Sequence, residues 1–182
     1  MRVAILERDG VINQDSPEHV KSPEEWEPIP GSLEAIARLN RAGYRVIIAT
    51  NQSGLGRRLF DIEALSRIHE KMYHHLVDVG GAVEAIFFCP HRPADKCRCR
   101  KPRPGLLLEI GQRLHIPLEE VPVVGDSQRD IEAARAAGAR PVLVRTGDGR
   151  RTARKLLDVE GLEVYDDLAA FVDAELERAA RH

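Results

Sequence analysis

The sequence predicts a parallel α/β sheet covered by helices on both faces, within one domain spanning residues 1–182. Three observations carry this expectation. Short apolar runs, rich in β-branched or aromatic residues, mostly lack polar alternation, as strands buried on both faces do. Amphipathic helical stretches separate these runs, which specifies parallel pairing with right-handed crossovers. A length of 182 residues leaves room for one ordinary domain and not two.

Val3–Leu6 opens the chain as the first strand. Ser32–Ala42 follows as a helix, apolar at Leu33, Ile36, Ala37 and Leu39, with Gly43 at its C-cap. Val46–Ala49 is the second strand, Asp61–Val79 the longest helix and Ile86–Phe88 the third strand. Next come helix Pro104–Leu114, strand Val121–Val124 and helix Asp130–Ala137, the last stopped by Gly138. Val142–Val144 and Val164–Tyr165 are the final strands, and Leu168–Ala180 closes the chain as a helix. Two stretches escape the alternation and read as loops. Residues 14–31 hold Pro17, Pro23, Pro28 and Pro30, too dense for a helix interior. Residues 89–104 hold the three cysteines together with Pro90, Pro93, Pro102 and Pro104.

Composition excludes several functions. Lys and Arg number 27 against 29 Asp and Glu, a net charge of −2, which argues against a bulk electrostatic nucleic-acid binder. With 43% apolar and 31% charged residues the chain is an ordinary globular one. No apolar run approaches the roughly 20 residues of a membrane span. The four-residue run at the N-terminus is too short for a signal peptide. The chain is expected in the cytoplasm, as a monomer with no nucleic-acid or membrane partner.

Ligands of parallel α/β sheets bind beyond the carboxyl ends of the strands, so the residues following each strand bear on chemistry. The first strand runs into Glu7-Arg8-Asp9-Gly10, the second into Thr50-Asn51-Gln52-Ser53-Gly54. Lys101 stands after the cysteine loop, and the fourth strand runs into Gly125-Asp126-Ser127, with Asp130 further on. An Asp or Asn at one such place is often only a helix cap. Four successive ends of this kind point to a site. Clustered carboxylates repel unless a hard cation joins them, and Mg²⁺ takes carboxylate oxygens together with substrate phosphate. A lysine and a Thr-Asn-Gln-Ser turn would donate to phosphate oxygens. Together these groups suit phosphoryl transfer, with one carboxylate as nucleophile and a second as acid and then base.

Cys89-Pro90-His91, five residues, then Cys97-Arg98-Cys99 offers three thiolates and an imidazole. That set favours tetrahedral Zn²⁺, structural because no coordination position is left for water. Its expected role is to shape the loop that presents Arg100 and Lys101. The other histidines (His19, His69, His74, His75, His115 and His182) lack paired ligand spacing and are expected mostly on solvated helix faces or loops. Trp26 reads as packing. Arg150-Arg151 and Arg154-Lys155 read as a solvated helix face, and Glu175–Arg181 as a solvated terminal helix.

LERDGVINQD resembles the first motif, DxDGV or DxDGT, of the haloacid dehalogenase (HAD) phosphohydrolase superfamily. IIATNQSG resembles the second motif, CRKPRPG the third and VVGDSQRDIEAARAAG the fourth. More narrowly, DGVIN, VKSPEEWEPIPGS, LNRAGY, TNQSG, and CPH followed by CxCRKPxPG resemble the heptose bisphosphate phosphatases of its histidinol-phosphatase-like branch. The resemblance covers about residues 1–150. It implies a three-layer Rossmann-like HAD fold and Mg²⁺-dependent removal of the 7-phosphate from a small sugar bisphosphate. The nucleophile position falls on Glu7, the acid/base on Asp9, and phosphate contacts on Thr50 and Lys101. Magnesium contacts fall on Glu7, Asp126 and the backbone carbonyl of Asp9. Substrate contacts fall on Asp15, Ser16, Pro17 and Glu18, on Thr50, Asn51, Gln52 and Ser53, and on Arg100, Lys101 and Ser127. The same zinc ligands, Cys89, His91, Cys97 and Cys99, are implied.

Residues 14–31 form a loop, and residues 55–100 are filled by one helix, one strand and the zinc loop. No cap domain fits, so the site is expected to be open. Specificity then comes from loops 14–18, 52–58 and 92–101, with Arg100 on the phosphate that is not cleaved. Two departures stand out. The nucleophile position carries Glu7 where the family has aspartate, and Arg58 replaces a glycine of the family's usual run. A histidinol-phosphate phosphatase, or a phosphosugar-binding chain impaired in turnover by Glu7, are the alternatives to the heptose bisphosphate reading.

Overall fold

A computed structural model describes residues 2–156 and 159–181. Six strands form one sheet in the order β3-β2-β1-β4-β5-β6, and every neighbouring pair is parallel. They are β1 (Arg2–Leu6), β2 (Tyr44–Asn51), β3 (Ala85–Cys89), β4 (Pro122–Gly125), β5 (Arg140–Val144) and β6 (Glu163–Tyr165). The helices are α1 (Ser32–Arg41), α2 (Ser53–Gly56), α3 (Ile62–Asp78), α4 (Gly105–Leu114), α5 (Gln128–Ala136), α6 (Gly149–Lys155) and α7 (Leu168–Ala180). The expected three-layer fold is present.

Two apolar cores lie on the two faces of the sheet. Ala4 and Leu6 of β1 pack with α1, α3 and α7 residues such as Ile36, Ile68 and Phe171. Val3 and Ile5 turn to the opposite face, against Leu107 and Ile110 of α4 and Ala133 and Ala134 of α5. This is the period-2 alternation of a strand with apolar cover on both sides. After Arg2, β1 has no polar residue before it leaves the sheet at Glu7. The first charged group on that side therefore emerges at the carboxyl edge.

Several boundaries differ from the sequence pattern in ways that matter. β2 continues through Thr50 and Asn51, which pair with Phe88 and Cys89, so both belong to the strand and not to the turn after it. The single turn of α2 is too short to show periodicity. Helix α5 begins before Asp130 because Ser127 is its N-cap. Ser127 Oγ accepts from the Asp130 N–H, and Asp130 Oδ2 accepts from the Ser127 N–H, a reciprocal capping box. With Ser127 as cap, Asp126 is free of that duty.

Residues 14–31 run back over the exit of β1. Asn13 bridges to Asp9 and Pro28, and Ser32 Oγ donates to the Val11 carbonyl. Trp26 is fully buried as packing, with the His75 ring 5.6 Å away. Arg58 has φ +58°, so this loop keeps the left-handed conformation that a glycine would supply. Arg150, Arg151, Arg154 and Lys155 are exposed, as expected. No helix among the described residues is long and apolar enough to cross a membrane.

Two expectations about solvated helix faces need correction. Glu175 on α7 is buried, accepting from Tyr44 Oη at 2.9 Å and Arg140 Nη2 at 2.5 Å. The return of α7 across the sheet edge covers it. His69 on α3 is also buried, and its partner is Arg8. His74 and His115 are exposed, and His182 lies outside the described residues.

Candidate active site

From β1 the chain passes outward through β2 and β3, then returns to place β4 on the other side of β1. The carboxyl ends of β1 and β4 thus form the topological switch point, where α/β sheets open a crevice. Glu7 leaves β1 there and Asp126 leaves β4.

Lys101 reaches this point from the cysteine loop and is almost wholly buried. Its Nζ donates to the Glu7 carboxylate, to Ala49 O at 2.8 Å, and lies 2.7 Å from Asp130 Oδ1. Three acceptors match the three protons of an ammonium. The Asn51 side chain holds the backbone of Lys101 from both sides. Its Nδ2 donates to Lys101 O, and its Oδ1 accepts from Lys101 N, each at 3.1 Å.

One lysine serves two carboxylates, and they share it unequally. Asp130 also accepts from the backbone N–H of Asp126 at 3.2 Å and from the N–H and hydroxyl of Ser127 at 3.0 and 2.7 Å. Burial opposes its ionisation, but Lys101 and these donors hold its carboxyl below the usual range. Among the described residues Glu7 has only the Arg8 N–H, at 2.8 Å, besides Lys101. Burial, helped by Asp130 and Asp9, raises it to about 7 against the pull of Lys101. Glu7 takes up a proton before Asp130 does.

Asp9 is held differently. Oδ1 accepts from Arg8 Nε at 2.8 Å and Asn13 Nδ2 at 3.0 Å, and Oδ2 from Gln52 Nε2 at 3.1 Å. Burial raises its proton affinity, but Arg8, Asn13 and Gln52 outweigh that and leave it below the ordinary value. Gln52 Nε2 also donates to Thr50 Oγ1 at 3.0 Å, which leaves the Thr50 hydroxyl proton free to donate elsewhere.

Asp126 packs where no side chain is allowed. A Cβ on Gly10 would lie 2.0 Å from Asp126 Oδ2, and one on Gly147 2.1 Å from the same atom. Both glycines have positive φ, +81° and +55°. Asp126 Oδ2 accepts from the Asp148 N–H at 2.9 Å. Burial first, then the Asp130 charge, push it up to about 8. Glu7, Asp9, Asp126 and Asp130 thus face two buried cations, Arg8 and Lys101. Two carboxyl groups are left without a cation of their own, which is why burial draws Glu7 and Asp126 toward their protonated forms, and that donor set fits a divalent hard cation.

A cleft of about 290 Å³ opens over these groups. It gathers Glu7, Asp9, Asp15, Ser16, Pro17, Asn51, Ser53, Arg100, Asp126 and Ser127 from the expected set. Thr50, Gln52 and Lys101 lie buried beneath it, and Glu18 faces a neighbouring, more open cavity shared with Arg57 and Arg58. Two residues lining the cleft, His19 and Arg129, were not expected; Asp130, expected after the fourth strand, and Arg57, within loop 52–58, line it as well. Among the described residues, Arg57, Arg100 and Arg129 have no carboxylate within ion-pair distance. Arg100 Nη1 is buried without a partner, and burial plus the Arg129 charge lower its proton affinity. Three unneutralised guanidiniums at one cleft fit an anion. Asp130 had a signal in sequence, the S-x-x-D spacing from Ser127. Arg129 is adjacent to it and had none of its own.

The cysteine loop closes into a knot. Cys89 Sγ stands 3.2 Å from Cys99 Sγ, 3.6 Å from Cys97 Sγ and 3.5 Å from His91 Nδ1, and His91 Nδ1 is 3.3 Å from Cys99 Sγ. Tetrahedral bonds of about 2.3 Å to sulfur would separate two thiolates by roughly 3.8 Å, so the four atoms fit one metal ion with little adjustment. Arg100 N–H points at Cys97 Sγ, 3.4 Å away. The knot is therefore tied directly to the Arg100-Lys101 pair.

Comparison with known proteins places this arrangement among relatives. A family described as HAD-hydrolase-like matches residues 98–171. The chain is 53% identical over 179 residues to a D-glycero-beta-D-manno-heptose-1,7-bisphosphate 7-phosphatase of Bordetella bronchiseptica, covering 98% of this chain and all of that one. It is 50% identical to the enzyme of that name from Pseudomonas aeruginosa, covering 95% and 97% of the two chains. A crystal structure of the B. bronchiseptica D,D-heptose 1,7-bisphosphate phosphatase, complexed with magnesium and phosphate, superposes with a TM-score of 0.96 over 98% of this chain and 99% of that one. The corresponding Burkholderia thailandensis structure, 45% identical, gives 0.78 over 97% and 99%.

Proposed function

The chain belongs to the HAD-like D-glycero-beta-D-manno-heptose-1,7-bisphosphate 7-phosphatases, and from that premise we propose that it removes the 7-phosphate of heptose 1,7-bisphosphate. One observation carries the reading. The cleft joins a cluster of four carboxyl groups facing only two buried cations to three unpaired guanidiniums, so one pocket is suited to a divalent cation and to two phosphates.

Mg²⁺, held by the Glu7 and Asp126 carboxylates and the Asp9 carbonyl, would neutralise charge on the transferring phosphoryl group. The side chains do the remaining work. The Glu7 carboxylate attacks phosphorus, an acyl-phosphate bond forms, and the bond from phosphorus to the C7 oxygen breaks. Asp9 gives its proton to that leaving oxygen. Asp9, now a carboxylate, takes a proton from water, which attacks phosphorus and releases Glu7 with inorganic phosphate. Arg8, Asn13 and Gln52 favour the ionised form needed in this second step. The dianionic substrate raises the proton affinity of Asp9 for the first. Thr50 Oγ donates to a phosphoryl oxygen, and Lys101 transfers a donor from Glu7 to phosphate as Glu7 becomes esterified.

The second phosphate falls to Arg100, with Arg129 and Arg57 beside it. A charge-assisted hydrogen bond is worth about 1.5–3 kcal/mol, or roughly ten- to a hundredfold in binding. Arg129→Ala is accordingly expected to raise KM for the bisphosphate about tenfold, with kcat changed less than threefold. A heptose 7-monophosphate should lose almost nothing. An equal loss on both substrates would remove Arg129 from this role. Faster turnover of histidinol phosphate than of the bisphosphate, by the parent chain, would overturn the heptose reading.

Cys89, His91, Cys97 and Cys99 would hold Zn²⁺ as a structural ion. Elemental analysis should find about one zinc per chain. Stripping it is expected to lower the melting temperature and speed amide exchange across residues 89–105, with turnover lost through Arg100 and Lys101. A metal-free protein of unchanged stability would refute the site.

A further inference from the structure

Arg8 joins two elements that the reaction leaves unconnected. It is fully buried. Its Nε donates to Asp9 Oδ1 at 2.8 Å, and its Nη2 stands 2.8 Å from the same oxygen. Its Nη1 lies 3.1 Å from Nε2 of His69, 61 residues away on α3. A guanidinium has donors and no acceptor. At this contact the imidazole must therefore accept, with Nε2 bare and the ring proton on Nδ1. His69 is itself only 9% exposed, so no bulk water replaces it as acceptor. Burial and the adjacent Arg8 charge pull its pKa down to about 4, which favours the neutral ring this contact requires.

We infer that His69 is a positioning residue for the phosphatase reaction, holding the far edge of the Arg8 guanidinium so that its near edge fixes the Asp9 carboxylate. Asp9 must meet the leaving oxygen and then a water at hydrogen-bond distance, and misplacement by about 1 Å can cost 10²-fold in rate. Asn13 and Gln52 each give Asp9 a single amide contact. Arg8 alone brings it a charge, and the long Arg8 side chain has several flexible bonds to settle. His69 does not line the cleft and its polar contact is with Arg8, so its effect runs through Arg8.

The inference rests on the proposed phosphatase activity, and the test separates the two. Steady-state kinetics on the bisphosphate are measured for the parent, His69→Leu and His69→Gln, each also with Glu7→Asp. His69→Leu is expected to lower kcat at least tenfold with KM within twofold. The Gln variant, whose amide oxygen accepts from Nη1, should stay within about threefold of the parent. In an Arg8→Met background, His69→Leu should cost nothing further. An unimpaired His69→Leu, a loss confined to KM, or an undiminished loss beside Arg8→Met overturns the role. If His69→Leu does not fold, His69→Asn, one methylene short of Gln, replaces it with the same expected loss. If neither the parent nor its Glu7→Asp variant turns over, the phosphatase reading falls and the positioning role falls with it.

Discussion

Glu7→Asp is expected to raise kcat on the bisphosphate about 10²-fold at saturating magnesium. The reason is a single methylene. Glu7 extends far enough to place one carboxylate oxygen on Lys101 Nζ and the other on the Arg8 N–H. An aspartate at the same backbone position draws the carboxylate back by roughly one bond. Attack on phosphorus needs reacting atoms about 3–3.5 Å apart and aligned, so one bond of reach at position 7 bears directly on the rate. Binding of the divalent cation depends on charge more than on reach, so it should change less than kcat. Parallel turnover assays of the two forms decide the matter. Equal and substantial rates would make Glu7 a competent nucleophile, and two flat lines would sink the catalytic reading.

The second large effect is on stability. Free of magnesium, the chain is expected to lose stability as pH rises from about 5 to 8.5. Glu7 and Asp126 have folded pKa values raised to about 7 and about 8, above those of the unfolded chain. A raised folded pKa means the folded state binds more protons in that interval. The stability it confers is full below the unfolded value and is lost as pH climbs through the folded one. For Glu7 alone the shift corresponds to something on the order of 3 kcal/mol. In a chain of this length that is roughly 6–12 °C in melting temperature. Magnesium held between the two carboxylates would favour their ionised forms and should flatten the profile. Thermal melts at pH 5.5 and 8.5, with and without magnesium, test this, and Glu7→Gln should remove the Glu7 share. Parallel profiles with and without the ion would refute it.

Much of this was readable in advance, and for a common reason. Buried parallel strands must be short and apolar, so the first polar residues after them are forced to one edge. Glu7 and Asp126 could be assigned to the same crevice on that ground alone. The cysteine–histidine knot was readable because its four members lie within eleven residues of chain, where spacing itself constrains geometry. Legibility stopped where one side chain's role depends on another element. Thr50 and Asn51 look like turn residues, yet the neighbouring β3 extends the ladder to include them. Glu175 looks like part of a solvated helix face until Tyr44 and Arg140, more than thirty residues away, close on it.

The sequence by itself determined the sheet, its chemical edge, the cysteine–histidine cluster and the glutamate at position 7, because each is written in local pattern or composition. Only the tertiary structure decided how charge is distributed there. Asp130 and Glu7 divide one lysine, Arg129 and Arg57 join Arg100 at the cleft, and His69 reaches Arg8 from a distant helix. These are matters of proton affinity and position, set by which groups burial forces together at about 3 Å. No periodicity along the chain encodes such distances.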